Sequence, residues 1–377
     1  MEILRSINTW FWNDYVWLPP NITWNHIGDT SIINYAQFSD LNAAFKVALA
    51  LLALRYILDQ FIFSPLGCYL GLRPKKAKIP DNTVLEKAFS ENGKIGYKQV
   101  KGLAKQLDWS ERRVERWIRR RISRSKPSTL SKFTESAWRF TFYLCAFCYG
   151  LYTLWDKPWL WSTNDCFYDY PHHSITDDVW WYYMLELGFY WSLAISQFMD
   201  TKRKDFLQMF VHHIVTIMLL TFSWTSNLFR IGSLVLVIHD FADVPLEAAK
   251  MAKYVESQKV ADSCFAVFTI AWIISRLGLY PYRIIYYTMY EALLIVPMFP
   301  AYYVFNSLLC ALQILHIVWT WMIVKIAIRA MSSKNPGVKD LRSDSEETES
   351  ISSEPEIDTN AKDTSSQENS NYVKKMS

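Results

Sequence analysis

Residues 212–254 read HHIVTIMLLTFSWTSNLFRIGSLVLVIHDFADVPLEAAKMAKY. Two apolar runs lie here, 207–225 and 228–249, and crossing the hydrocarbon core of a bilayer takes about twenty mostly apolar residues. Inside them sit Val211-His212-His213-Ile214 and Ile238-His239-Asp240-Phe241-Ala242-Asp243, followed by Glu247 and Lys250. A soluble helix can turn such groups to water, but a membrane helix has no water-facing side. A central charge in a membrane helix costs at least about 2.5–3.5 kcal/mol on insertion scales, so these residues are functional candidates by default.

Working outward, further apolar runs occupy 42–64, 137–155, 179–199, 261–280 and 300–328. The expected fold is an all-α membrane protein, a bundle of about seven transmembrane helices. The stretch 284–299 is also apolar, but Glu291 and Pro297 interrupt it. It reads as a re-entrant segment, an interfacial one or an eighth span. The abundance of aromatics, with 17 Trp and 22 Tyr, fits rings collecting at a bilayer interface. Lys and Arg of short loops mark the cytosolic side. They follow the first span, then recur at Lys202-Arg203-Lys204, at Lys250 and Lys253, and at Lys325 and Arg329. The loop 156–178 has a single Lys and is expected in the lumen. Seven spans then put segment 1–41 in the lumen and the C-terminus in the cytosol. Asn21-Ile22-Thr23 is a glycosylation sequon on that lumenal segment, which makes Asn21 a candidate glycan site. The first residues carry charge and aromatics, so no cleavable signal is expected.

Charge is unevenly distributed. Residues 73–132 hold 18 Lys/Arg against 6 Asp/Glu. Within the module 73–130, TVLEKAFSE, YKQVKGLAKQL and SERRVERWIRRRIS each have helical periodicity, with Ser110 as a candidate cap. These three helices resemble the second half of a homeodomain, the third standing where a recognition helix would. The arm and much of the first helix are short, and Arg120 occupies the place of the Asn that reads adenine. Specific DNA binding is therefore disfavoured. Anionic lipid head groups or phosphates suit the charge better, and a structural module under the membrane is the preferred reading. The tail 333–377 has 10 Asp/Glu against 6 Lys/Arg and almost no large apolar residues, so it is expected to be disordered. Its Ser343, Ser345, Ser350, Ser352 and Ser353 are candidate phosphorylation sites.

Spacing organises the intramembrane groups. His239 and Asp243 are four apart on a helix, as are Asp243 and Glu247, and Asp240 and Asp243 are three apart, so one stripe is acidic with an imidazole. His212 and His213 point about 100° apart, so at most one aims squarely at that stripe. Asn227 and Arg230 lie at the turn between the two spans, and Arg276 on the next span can pair with a carboxylate. Three readings fit. Acyl transfer would use imidazole as base or nucleophile and carboxylates as its orienters. A metal site would use His and Asp as ligands, but the longer His repeats of membrane di-iron enzymes are absent. A polar network could simply hold helices together. His172 and His173 read as solvated loop residues, and His316 as a hydrogen-bonded helix residue. Cys145 and Cys148 are spaced C-x-x-C in an apolar run with no second pair, which gives no redox or metal reading.

The run from His212 to Tyr254 resembles the signature of the ceramide synthases, the longevity-assurance family with a TLC domain. The likeness rests on the paired His, Ser223, Asn227, Arg230, Gly232, His239-Asp240, Asp243 and Leu246-Glu247-Ala248-Ala249-Lys250. It extends over 131–332 and includes the homeodomain-like insert after the first span. Asp340-Leu341-Arg342-Ser343-Asp344 resembles an element found past the last span of such proteins. The resemblance implies N-acylation of sphinganine or sphingosine by a fatty acyl-CoA at the endoplasmic reticulum. It assigns catalytic roles to His212, His213, His239, Asp240 and Asp243. Asn227, Arg230 and Arg276 become candidate substrate-binding residues, and the segment near 290–300 a determinant of acyl length. The implied partners are acyl-CoA, the sphingoid base and membrane lipids, with a homo- or heterodimer left open. No cofactor or metal is implied, because acyl-CoA is a co-substrate already activated as a thioester. A non-catalytic TLC protein that senses or moves lipids is the alternative, and it would not need the His pair or the acidic stripe.

Overall fold

The computed structural model describes residues 6, 9–28, 33–73, 80–92, 95–125, 127–200 and 205–332. The tail 333–377, its candidate phosphorylation sites and Lys202-Arg203-Lys204 lie outside the described residues. Among those described, every regular element is helical. The chain divides into a membrane unit and a small unit around 80–125.

In the membrane unit, α1 spans Phe38–Tyr69. After the small unit come α5 (Thr129–Leu154), α6 (Asp177–Ser196), α7 (Phe206–Thr225), α8 (Phe229–Tyr254), α9 (Gln258–Ile295) and α10 (Ala301–Ser332). Helices α1, α7, α9 and α10 are long and apolar enough to cross a membrane. Helices α5, α6 and α8 carry more ionisable residues, including Glu135, Glu186 and Asp240, which are buried among neighbouring helices, and the half-buried Arg139. The chain is thus a membrane protein whose polar residues sit on the helices turned most fully inward.

Two sequence boundaries change. The stretch 284–299 is no separate span. Its first part continues α9, which winds as a π-helix over Ile273–Glu291 and then ends with Ala292–Ile295. Pro281 within it has no N–H to donate, and wide π-type winding commonly accommodates such interruptions. Helix α5 begins at Thr129, where the Ser128 hydroxyl accepts from Ser131 N at 3.0 Å.

Helix α8 packs on α5, α6, α7 and α9, and α10 closes against α7 and α9. Small residues permit the tightest approaches. A Cβ on Gly188 of α6 would lie 2.9 Å from the Ala44 carbonyl of α1. One on Gly232 of α8 would strike the Tyr183 hydroxyl, which is hydrogen-bonded to Ser223 on α7. Arg55 of α1 forks onto Asp200 with contacts of 2.6 and 3.2 Å, and Arg139 of α5 joins the same carboxylate at 3.3 Å. That cluster ties three helices at one end of the bundle.

In the small unit, α2 (Thr83–Asn92), α3 (Tyr97–Leu107) and α4 (Glu111–Ser125) form the three expected helices. Leu85, Val100, Val114, Trp117 and Ile118 make its core. Trp117 Nε1 donates to Pro80 O at 2.9 Å, and Arg121 pairs with Glu86. Arg112, Arg116, Arg119 and Arg120 are left exposed on α4.

Candidate active site

The polar end of the bundle encloses a cavity walled by six helices. Its lining includes Arg139, Tyr190, Gln197, His212, His213, Asp243, Arg276 and His316. A second chamber occupies the opposite half, with Thr216–Ser223 of α7, Ile231–His239 of α8, and Ala292, Val296 and Phe299 among its walls. That lining is almost wholly apolar. Tyr190 borders both spaces. Thr288 and Asn306, two of the polar residues in the apolar chamber, satisfy each other at 2.8 Å.

Both paired histidines reach the polar cavity, with ring centroids 5.7 Å apart. Hydrogen bonding fixes the tautomer of His213. Gln197 Nε2 can only donate and does so to Phe206 O at 2.8 Å, which turns Gln197 Oε1 toward His213 Nδ1 at 2.9 Å. An amide oxygen only accepts, so Nδ1 carries the proton and Nε2 keeps a lone pair. His212 packs edge-on against Trp319 at 5.4 Å, and its Nδ1 is buried with no hydrogen-bond partner. One ring of the pair is thus held by a neighbour, and the other lies in the same cavity.

The acidic stripe of α8 divides. Asp243 lines the cavity and pairs with Arg276 at 3.2 Å. The same guanidinium Nη2 donates to His239 O at 2.9 Å and lies 5.1 Å over Trp272. Glu247 also lines the cavity and pairs with Lys250 at 2.6 Å. Asp240 is fully buried beside the carboxyl of Glu186 on α6 and forms no part of the cavity wall. His239 faces the apolar chamber instead, where its Nδ1 meets Val235 O at 2.7 Å and its Nε2 meets His316 Nε2 at 3.3 Å.

Asn227 and Arg230 are not brought to either histidine. Asn227 has φ 56° and is fully buried, and its amide donates to Pro171 O at 2.6 Å and His173 O at 3.0 Å. Arg230 donates to Asp165 O at 2.7 Å and lies 4.8 Å over Trp159. Both tie the loop 156–178 onto the bundle, because loop carbonyls taken out of water need donors. The same need corrects the reading of His173, which is 1% exposed rather than solvated, with Nε2 on Tyr168 O at 2.7 Å. Burial pushes its pKa down to about 4, and the buried Cys166 thiol is pushed up for the same reason. Its neighbour His172 is exposed and meets the Tyr35 hydroxyl at 3.0 Å. Asn21 is exposed on a turn with φ 69°.

Sequence reading missed His316, Glu186, Gln197 and Tyr190. For His316 and Glu186 a signal existed, since each is an ionisable residue on an apolar helix and met the criterion that singled out His212. Gln197 and Tyr190 gave none, because their role depends on which helices become neighbours. No group of three or more His, Cys, Asp or Glu with metal-binding geometry occurs among the described residues.

Comparison with known proteins adds an independent line. The TLC domain family model matches residues 132–325. The chain is 42% identical to mouse (Mus musculus) ceramide synthase 5 over 92% of its length and 84% of that protein. It is 42% identical to human (Homo sapiens) ceramide synthase 4, over 92% of this chain and 89% of that one. Mouse ceramide synthase 3 is 39% identical, over 91% of this chain and 90% of that protein.

Proposed function

The chain belongs to the ceramide synthase family of acyltransferases, and from that premise we propose that it transfers a fatty acyl group from CoA to the amine of a sphingoid base. The observation that carries this reading is His213. Its Nε2 lone pair is fixed by Gln197, in a polar cavity that adjoins an apolar chamber. The chamber takes the acyl chain and the cavity takes the thioester and the amine. Five carboxyls, Glu135, Asp200, Asp205, Asp243 and Glu247, stand in the cavity wall against Arg139, Lys250 and Arg276. These carboxyls offer acceptors for an ammonium group.

His213 Nε2 attacks the thioester carbon, the C–S bond breaks and CoA leaves as the thiolate. The amine then attacks the acyl-imidazole, a C–N bond forms, and His213 is released. The sphingoid ammonium gives up two protons over the cycle. One passes through the freed His213 to the thiolate, and the other must leave by a separate acceptor. Asp243 and Arg276 fix the position of α8 against α9 beside this centre. No resident cofactor or metal is called on, since the thioester supplies the activation.

The polar cavity is lined by Lys250 near the end of α8, and that end, with Lys253 and, on α10, Lys325 and Arg329, is the proposed cytosolic face. The opposite end, with Asn21 exposed, is the lumenal face of the endoplasmic reticulum, and seven spans satisfy that arrangement. Asn227, Arg230 and the loop they hold would close the lumenal end of the chamber rather than touch substrate. The exposed arginines of α4 suit polyanions without sequence preference.

The test is transfer from a panel of acyl-CoAs to sphinganine in membranes holding wild type or His213→Ala at matched protein levels. Amide product from wild type and none from the variant is expected. No amide from wild type with any chain length would leave a lipid-binding TLC protein as the better account.

A further inference from the structure

His239 and His316 sit on different helices and border different spaces, His239 the apolar chamber and His316 the polar cavity. Their Nε2 atoms are 3.3 Å apart, and the rings are 4% and 1% exposed. The direction of that hydrogen bond can be deduced. Val235 O only accepts, so His239 Nδ1, 2.7 Å away, carries a proton. Neutral His239 then has its lone pair on Nε2. Nothing is gained from two lone pairs facing each other, so His316 Nε2 carries the proton and donates it. The lone pair of His316 is left on Nδ1, which is buried without a hydrogen-bond partner. Leaving such a group unsatisfied is unfavourable, and the site lies beside the cavity where the amine must react. Tyr280, Trp272 and Trp319 surround the ring edge to face or tilted, and Tyr280 spends its hydroxyl on Leu309 O.

We propose that the His239–His316 pair is a second proton acceptor of the acyl transfer, taking the first proton of the sphingoid ammonium at His316 Nδ1. The inference rests on the acyl-transfer reading above. As Nδ1 gains its proton, the Nε2 proton of His316 passes to His239 Nε2. The Nδ1–H of His239 stays on the Val235 carbonyl, so one positive charge is spread over two rings and a backbone dipole. The neutral amine then attacks the acyl carbon. After product forms, the two transfers reverse and the proton leaves to the cavity, which restores the pair. His213 handles the other proton, the one that ends on the CoA thiolate. Two separate acceptors match the two protons that the ammonium must lose. Arg276, which donates to the His239 carbonyl and lies beside both rings, is the permanent cation nearest the pair, and its charge is met by Asp243.

The experiment is a pH–rate profile of amide formation from acyl-CoA and sphinganine, run on the purified full chain and on His316→Gln. A glutamine amide can still donate to His239 Nε2, so packing and position are kept while the ring base is lost. Turnover should fall about 10²–10⁴-fold, the usual contribution of a positioned base, with KM for acyl-CoA nearly unchanged. The remaining rate should climb with pH as the amine deprotonates unaided. An inactive wild type would sink the acyl-transfer reading itself. An active wild type with His316→Gln within threefold, and the same profile, would overturn only the proton-acceptor role. A proton inventory on wild-type kcat/KM for the amine needs no variant. The pair predicts a curved dependence on solvent deuterium from two protons in flight, and a straight line contradicts it.

Discussion

The two spaces inside the membrane unit share helices α6 to α10 and do different work. The polar cavity is walled by residues whose neighbours fix their protons and charges: His213 by Gln197, Asp243 by Arg276, Glu247 by Lys250. The apolar chamber, apart from His239 and Tyr190 where it meets the cavity, is walled mainly by Leu, Ile, Val and Phe side chains that fix a volume. Changes to the first should lower transfer of every acyl chain alike. Changes to the Leu, Ile, Val and Phe residues of the second should reorder chain lengths and leave the chemical step intact. The comparison fails if a single wall residue does both.

The largest effect is expected from His213→Ala, a loss of about 10³-fold or more in turnover for every acyl-CoA in a membrane assay. Next, Asp243→Asn removes the counter-charge of Arg276. A charged hydrogen bond is worth about 1.5–3 kcal/mol, so kcat/KM for the sphingoid base should drop about ten- to a hundredfold, again without regard to chain length. Ala292→Phe, on the other side, should shorten the preferred chain. Each methylene excluded costs about 0.8 kcal/mol, or about fourfold in kcat/KM, read from competition among a mixed acyl-CoA pool. Gln197→Ala loses one neutral hydrogen bond and should cost about two- to tenfold in turnover, with His213 free to change tautomer.

Those lower-ranked residues show where sequence reading stopped. Helices α7 and α8 were legible because apolar runs of membrane length carried His212, His213, His239, Asp240 and Asp243 in helical register. The three helices of the small unit were legible from periodicity and from breaks such as that before Ser110. The single helix α9 was not, because Glu291 and Pro297 interrupt the apolar count of 284–299, while the helix runs on past Pro281 and Glu291 to Ile295. His316 looked like a hydrogen-bonded helix residue until α10 was seen against α8. His173 looked solvated because loops generally are, and the contacts of Asn227 and Arg230 show that this loop is docked. Asp240 has the spacing of a cavity residue, yet it turns toward Glu186, a contact that depends on the packing of α6.

The smallest expected effect concerns that docked loop. His173 is depressed from the ordinary value near 6.5 to about 4 by burial. The unfolded loop therefore binds more protons than the docked one between those values. Stability is full above about pH 6.5, declines as pH falls, and levels off below about 4. Amide exchange of residues 163–176 should quicken over that window, and His173→Phe should flatten the response if the loop still docks.

The most direct test of the central claim is where the acyl chain lies. An acyl-CoA with a photoreactive group at the methyl end of its chain is bound to the full-length chain in bilayers, irradiated and mapped by peptide mass. The account predicts labelling around Ala292–Phe299 and Tyr302–Leu312, with His213→Ala changing the yield of product but not the labelled peptides. Labelling concentrated at Glu135–Tyr143 and Phe206–His213 would put the chain in the polar cavity and contradict the division between the two spaces.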